Sequence, residues 1–549
     1  NRQPTVHEPM ADALAPLPAV PAYTTGGAAL PLSQLSVSQL KLLAAQLGAA
    51  PRAGATRAEL EAACAKLGAT SAAPADIASG RASGKAYIPG GSLIAHFETA
   101  EGERTGPQLD VPAETTPAQL QLILNQLLSN EERVPYSFYV GEEEVTSTLG
   151  GALGAASAEQ TLKVVYVPQA VFRVRAVTRC TSTLSGHSEA ILSSSFSADG
   201  RVLATGSGDH CVRLWDVMTE TPRATLKAHR DWVLCVAWSP CGKFLASGGK
   251  DGRLALWSVA EPAFPLKVIE AHRKWVNAIA WEPYHVVDTP RLASASKDGT
   301  IRLWERVTGR SAGTLCGHTD SVSCLRWGGD GLIYSGSHDR TVKVWANEKL
   351  VRTLEGHGHW VNCLSISTEF ALRRGPFDHR GVAPDDEAAA RDGAAKRFAE
   401  ARGPAEMLAS GSDDFTVYLW SPASSKRPVA RLTGHVQLVN AVCFSPDGQW
   451  LASGSFDGSI RLWAARTGKF TATLRGHVGA VYQLAWSGDS RLLASGSKDS
   501  TVKVWELRTR KLKEDLPGHA DEVYSVDWSP DGERVASGGK DRNLKMWRR

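Results

Sequence analysis

The chain has 549 residues, 43% hydrophobic and 21% charged, with 61 Lys and Arg against 57 Asp and Glu for a formal net charge of +4. That is ample apolar material for several packed units, and too small a charge excess to argue by itself for a polyanionic partner. No apolar run approaches the ~20 residues of a membrane span, and no charged-then-apolar signal segment opens the chain, so neither a membrane protein nor a secreted one is expected. Nine cysteines without a C-x-x-C pair, and no N-x-[ST] sequon, favour a reducing compartment, cytosol or nucleus.

Residues 1–90 are rich in Ala, Pro, Gly and Ser and are expected to form a low-complexity, largely disordered extension. One island differs, at residues 35–67. It reads as two short helices around a Pro/Gly turn, with Leu35, Leu40, Leu43 and Leu47 on one face. Its spacing resembles a SAP motif, a helix-turn-helix that binds DNA in other proteins; an alanine-rich helical hairpin with no assigned role is the plainer reading. Residues 91–167 predict a small α+β unit. Ser92–Thr99 alternates like a strand, Thr116, Pro117 and Gln119 open a helix with a capping box, and Leu120, Ile123, Leu124 and Leu127 give that helix an apolar face. Val134–Val140 and Leu162–Val167 read as further strands, and a β-grasp (ubiquitin-like) arrangement suits this order. Residues 168–178 are expected to be a connector.

From 179 to 549 the chain repeats. An aspartate is followed six residues later by a tryptophan eight times, at Asp209–Trp215, Asp251–Trp257, Asp298–Trp304, Asp339–Trp345, Asp414–Trp420, Asp457–Trp463, Asp499–Trp505 and Asp541–Trp547. A Gly-His or Ala-His dipeptide precedes each pair, with His187, His229, His272, His318, His357, His435, His477 and His519. Four residues before each aspartate stands Thr205, Ser247, Ser294, Ser335, Ser410, Ser453, Ser495 or Ser537. A period of about 42 residues with four short strand patterns per unit predicts a mainly β, eight-bladed propeller of WD-type repeats. The final unit stops two residues after Trp547, so the spare strand at about Arg179–Leu184 is expected to complete it and close the ring.

One Ser-His-Asp set would suggest nucleophilic catalysis. Eight equivalent sets argue instead for a structural network from indole to carboxylate, since a catalytic site has no use for seven further copies. No phosphate loop, H-E-x-x-H pair or spaced Cys/His cluster is present, so no enzyme, resident metal or cofactor is expected. The basic run Arg508–Lys513 reads either as a nucleic-acid contact or, more plainly, as a solvated loop. The fifth repeat is interrupted: 57 residues separate His357 from Asp414, where 22 is the common spacing. The excess, at about 369–406, carries a Pro/Gly-rich stretch, the acidic run Asp385–Glu387 and a helix-like AAARDGAAKRFAEA. A loop of that length in a compact fold is usually functional or disordered.

Several phrases are more specific than the repeat. TPAQLQLILNQLL and VPYSFYV in the small unit, then VVYVPQAVFRVRAVTRCTSTLSGHSEAIL, the insertion beginning STEFALRRGPFDH, WGGDGLIYSGSHDRTVKVW and LPGHADEVYSVDWSPDG together resemble the Notchless family over about residues 92–549. The resemblance implies an NLE domain before an eight-bladed WD-repeat propeller, in a monomeric, non-enzymatic factor for assembly of the large ribosomal subunit. It implies action in the nucleus, nucleolus and nucleoplasm, and for animals a tie to Notch signalling. It further implies that the small domain docks on the metal-ion-dependent adhesion site (MIDAS) of the AAA ATPase midasin, while the propeller holds the precursor particle through ribosomal RNA and proteins. Such docking needs an exposed carboxylate to complete the partner's metal coordination. By the family's pattern that residue is Glu159, in GAASAEQTLKVVY, with Glu142–Glu144 as the alternative. The other reading is a WD-repeat scaffold for signalling or for ubiquitin-ligase substrate recognition.

Overall fold

The computed structural model describes residues 92–99, 104–128, 135–140, 143–145, 148–149, 161–168, 174–287 and 289–549, together with a short antiparallel pair, Thr24–Thr25 with Ala28–Ala29. The helical island expected at 35–67 lies outside the described residues, as does Glu159. By contacts the chain divides into Asn1–Ala86 and Tyr87–Arg549.

The second unit opens with strands β1 (Ser92–Thr99) and β2 (Arg104–Pro112), helix α1 (Pro117–Leu127), and strands β3 (Tyr136–Val140), β4 (Glu143–Glu144) and β5 (Leu162–Pro168). They form one sheet in the order β2-β1-β5-β3-β4, with β1 and β5 parallel at its centre. That order and polarity, with the helix between the second and third strands, is a β-grasp arrangement. The helix starts where its residues dictate: Pro117 needs no N–H partner in the first turn, and the Gln119 side chain accepts from the Thr116 backbone N–H at 2.9 Å. Leu120 and Leu124, one helical turn apart, are buried against Ala95, Phe97, Phe138 and Val164. On the other face of β1, His96 and Glu98 are also buried and bonded to each other at 2.8 Å, while Ile94 is exposed.

The rest is a ring of eight four-stranded antiparallel sheets. Each blade begins with an inner strand, such as Val233–Trp238, and the inner strands of successive blades adjoin around the ring. The circle closes between Val523–Trp528 of blade 8 and Ile191–Phe196 of blade 1. Strand β6 (Arg179–Leu184) is the outer strand of blade 8, with Thr183 opposite Lys545 and Leu184 opposite Leu544. The chain's two ends of the ring are thereby hydrogen-bonded in one sheet, and no sheet edge is left open at the join.

The cores lie between blades. One cluster joins Val202, Leu214 and Leu226 of blade 1 to Val233, Trp238, Leu245 and Trp257 of blade 2, so a single blade cannot bury its own faces. Residues 174–178, expected as part of a connector, are packed on the disc. Val174 and Val177 sit in the core of blades 7 and 8, the Val174 N–H donates to Asp489 at 2.7 Å, and the Thr178 N–H donates to the Arg548 carbonyl at 2.8 Å.

Candidate functional site

Every blade assembles the same four side chains. The tryptophan indole N–H donates to the Ser or Thr hydroxyl at 2.7–3.1 Å. That hydroxyl lies 2.7–2.9 Å from the histidine Nε2. The histidine Nδ1 lies 2.7–3.2 Å from the aspartate. Chemistry fixes the order of protons. An ionised carboxylate only accepts, so Nδ1 carries the hydrogen; Nε2 is then an acceptor, and the hydroxyl must donate to it while accepting from the indole. The chain of bonds runs one way, indole to hydroxyl to imidazole to carboxylate, and leaves none of these buried atoms without a partner.

The electrostatics agree with that order. Burial alone would raise the Asp209 carboxyl, but the His187 hydrogen bond and charge, with the backbone N–H groups of Cys211 and Ser188, hold it at about 2. Asp251 is held at about 2 in the same way, by His229 and the N–H groups of Arg230 and Arg253. His272 and His435 are pushed down, chiefly by burial, and so favour the neutral ring that the bonding pattern requires. The serine hydroxyls are fully buried, as in Ser247 and Ser453, and no substrate can reach them.

The departures from repetition are where the two faces of the disc differ. In each blade the histidine turn and the aspartate turn lie at one end of the strands, and the turn between the first and second strands lies at the other. The insertion of blade 5 joins its first strand, Val361–Ile366, to its second, Leu408–Ser412, and so belongs to the second face. It folds as α2 (Glu369–Arg374) and α3 (Glu387–Arg402). The Asp386 carboxylate caps α3 by accepting from the N–H groups of Ala388 and Ala389, and Ala390, Ala394 and Phe398 form its buried stripe at four-residue spacing.

This insertion spreads over the second face. The Phe398 ring stacks on His285 of blade 3 at 4.7 Å, and Arg402 pairs with Asp330 of blade 4 at 3.1 Å. Gly375 and Gly381, both at positive φ (53° and 73°), press on the carbonyls of Pro240 in blade 2 and Asp199 in blade 1, where any side chain would collide. Arg373 reaches across to blade 8, donating to Asp527 at 2.8 Å and to the Phe196 carbonyl of blade 1 at 3.2 Å. At the root of the insertion, Glu406 accepts from the Tyr334 hydroxyl at 2.8 Å, the Gly329 N–H at 3.2 Å and the Thr368 hydroxyl. Burial pushes its carboxyl up in spite of these three donors. Among the described residues the insertion thus lies across much of the second face, and nothing comparable lies on the face bearing the histidine turns.

On the histidine-turn face, sequence reasoning passed over Trp232, Trp275 and Trp360. Each stands three residues after a tetrad histidine and is exposed. Their recurrence at one offset, outside the Asp-Trp register, was the available signal. Among the described residues no group of three or more His, Cys, Asp or Glu is arranged to hold a metal ion.

The propeller and its tetrads define a WD-repeat protein. The WD domain, G-beta repeat model matches residues 178–216, 220–258, 263–305, 309–346, 426–464, 468–506 and 510–548, passing over blade 5 and its insertion, and the NLE (NUC135) domain matches residues 93–153. Protein Notchless of Drosophila melanogaster is 51% identical over 370 residues, covering 65% of this chain and 75% of that protein. The Notchless protein homolog of Arabidopsis thaliana is 52% identical over 390 residues, 69% of this chain and 82% of the relative. Ribosome assembly protein 4 of Saccharomyces cerevisiae is 47% identical over 398 residues, 68% and 77% of the two chains. The chain belongs to the Notchless family.

Proposed function

We propose that this protein is a non-enzymatic assembly factor of the large ribosomal subunit, acting in the nucleolus and nucleoplasm. The observation that carries the proposal is the similarity, at 47% identity over 398 residues, to a relative named ribosome assembly protein 4. In this reading the propeller binds the precursor particle and the small β-grasp unit docks on the MIDAS domain of midasin, with Glu159 completing the coordination of a divalent metal held there. The eight tetrads support a binding role over catalysis, because their polar groups are consumed by one another.

Mechanical coupling is the physical merit of this design. Residues 174–178 are fixed to blades 7 and 8 by buried valines and backbone bonds, so only residues 169–173 separate strand β5 from the disc. So short a link passes a pull on the small unit to the propeller with little slack. Residue 159 stands three positions before β5 begins, in a stretch of sequence rich in Gly, Ala and Ser.

The test is a calorimetric titration of the full chain with the isolated MIDAS domain in Mg²⁺. Glu159→Ala should abolish binding and Glu159→Asp should weaken it, with the circular dichroism of both variants unchanged. Unaltered affinity in Glu159→Ala, with loss in Glu142→Ala or Glu144→Ala, would move the role to the alternative acidic run.

A further inference from the structure

We propose that the histidine-turn face of blades 2 and 3 binds single-stranded RNA along a ladder of alternating indole rings and cations. The Lys250 ammonium lies 4.7 Å from the Trp232 ring centre and 5.1 Å from that of Trp275, and the Lys297 ammonium lies 4.0 Å from that of Trp275. The order Trp232, Lys250, Trp275, Lys297 thus crosses the boundary between two blades as one continuous row. Both indoles are exposed, at 45% and 38%, although the other large aromatics of these blades' tetrads are buried. Arg230 and Arg273, each directly after a tetrad histidine and two residues before one of these indoles, are exposed.

The cations have no anionic partner. Among the described residues none of Lys250, Lys297, Arg230 and Arg273 makes an ion pair on this face, whereas Lys540 of blade 8 is tied to Asp521 at 3.3 Å. The carboxylates within the patch are already engaged: Asp251 and Asp298 by histidines, Asp231 by the backbone N–H of Trp232 at 2.8 Å. The four cations outnumber these three carboxylates by one, a small positive excess in a chain of nearly balanced charge. The other histidine turns lack a cation at this place: the residues after the tetrad histidines of blades 1, 4, 5, 6, 7 and 8 are Ser188, Thr319, Gly358, Val436, Val478 and Ala520.

A row that alternates flat rings with ammonium groups matches a ligand that alternates flat rings with anions. Bases stack on indoles and phosphates sit on Lys and Arg, while an acidic peptide would use the cations and leave the rings idle. Among the described residues the insertion lies on the second face, and this strip is on the opposite one. The inference rests on the assembly-factor reading only for the identity of the RNA, which would be ribosomal.

The experiment uses the full chain and a labelled oligouridine of about 12 nucleotides, a length within the footprint of single-strand surfaces, read by fluorescence anisotropy across a salt series. Wild type should bind, and Trp232→Ala with Trp275→Ala should lower affinity at least about tenfold. Lys250→Gln with Lys297→Gln should make the slope of log K against log salt shallower by roughly 1.4, as expected for two lost phosphate contacts, while Lys250→Arg with Lys297→Arg should retain binding. No binding by wild type, wild-type affinity in the Trp232→Ala/Trp275→Ala variant, an unchanged salt slope in the Lys250→Gln/Lys297→Gln variant, or preferential competition by a polyglutamate peptide would overturn the proposal. The same variants are run on a gradient with ribosomal precursors. Co-migration without RNA binding would defeat this inference alone; RNA binding without co-migration would defeat the assembly-factor reading instead.

Discussion

Removing one hydroxyl from a tetrad should cost far more than its size suggests. Ser453 is fully buried; it accepts from the Trp463 indole at 2.9 Å and lies 2.9 Å from His435 Nε2. Ser453→Ala deletes one small oxygen but orphans two buried groups, the indole N–H and the imidazole lone pair. At about 1–3 kcal/mol for each unsatisfied buried group, the loss should be about 2–4 kcal/mol after local relaxation. Ser453→Thr keeps the hydroxyl, and Thr205 shows that the tetrad of blade 1 already works with threonine, so its cost should be limited to fitting one methyl group. Urea denaturation followed by tryptophan fluorescence measures the difference, with Ser185→Ala at an exposed position as the reference. A loss for Ser453→Ala within about 0.5 kcal/mol of that reference would refute the bonding order assigned to the tetrads.

Other outcomes follow from the same geometry. The depressed folded-state pKa values of Asp209 and Asp251, about 2 against an unfolded value near 3.9, mean that their contribution is fully present above about pH 4 and is lost as pH falls through 2. His272 and His435, also depressed, add a shallower loss as pH falls below about 6.5, and Asp209→Asn with Asp251→Asn should flatten the acid limb of a melting-temperature profile; an unchanged limb would contradict the assignment. Burial pushes the Cys324 thiol up to about 11, whereas Cys180 and Cys316 are exposed. Iodoacetamide at pH 8 should therefore label the latter two in the native protein and Cys324 only after unfolding, as read by peptide mass spectrometry. Arg373→Met, which removes the cation facing Asp527 and leaves it only the Phe196 and Trp528 N–H donors, should lower stability by about 1–3 kcal/mol and raise proteolysis within the insertion. Unchanged protection there would show that the insertion is held by its other contacts.

The ring was legible because it is written eight times. A lone His, Ser, Asp and Trp carry little information, but the same spacing repeated at about 42 residues permits one architecture, and the outer strand that closes it follows from where Trp547 falls. Strand β2 was not legible. It contains Gly106, Pro107 and Asp110, is exposed along most of its length, and owes its conformation to pairing with β1 at the sheet edge. Residues 174–178 were expected as connector because they precede the first repeat, yet the alternation of Val174 and Ala176 was the trace of a buried face. The helix of the insertion could be read from its composition, but its destination could not: Arg373 meets Asp527, 154 positions away, and no local pattern encodes that distance. The exposed tryptophans were not legible for a different reason: only His229, His272 and His357 have one three places on, and the other blades carry Ala, Ser, Leu or Glu there, so the repeat does not single the position out.

The central claim is that this chain works on precursors of the large ribosomal subunit. Sedimentation of a nuclear extract containing the tagged protein, with RNA hybridisation across the gradient, tests it most directly. The account predicts that the protein migrates with particles carrying precursor large-subunit RNA, and that Glu159→Ala accumulates on them because it cannot be pulled free. Migration at the position of the free chain, with none in the precursor peak, would contradict the account and favour a signalling or ubiquitin-ligase scaffold.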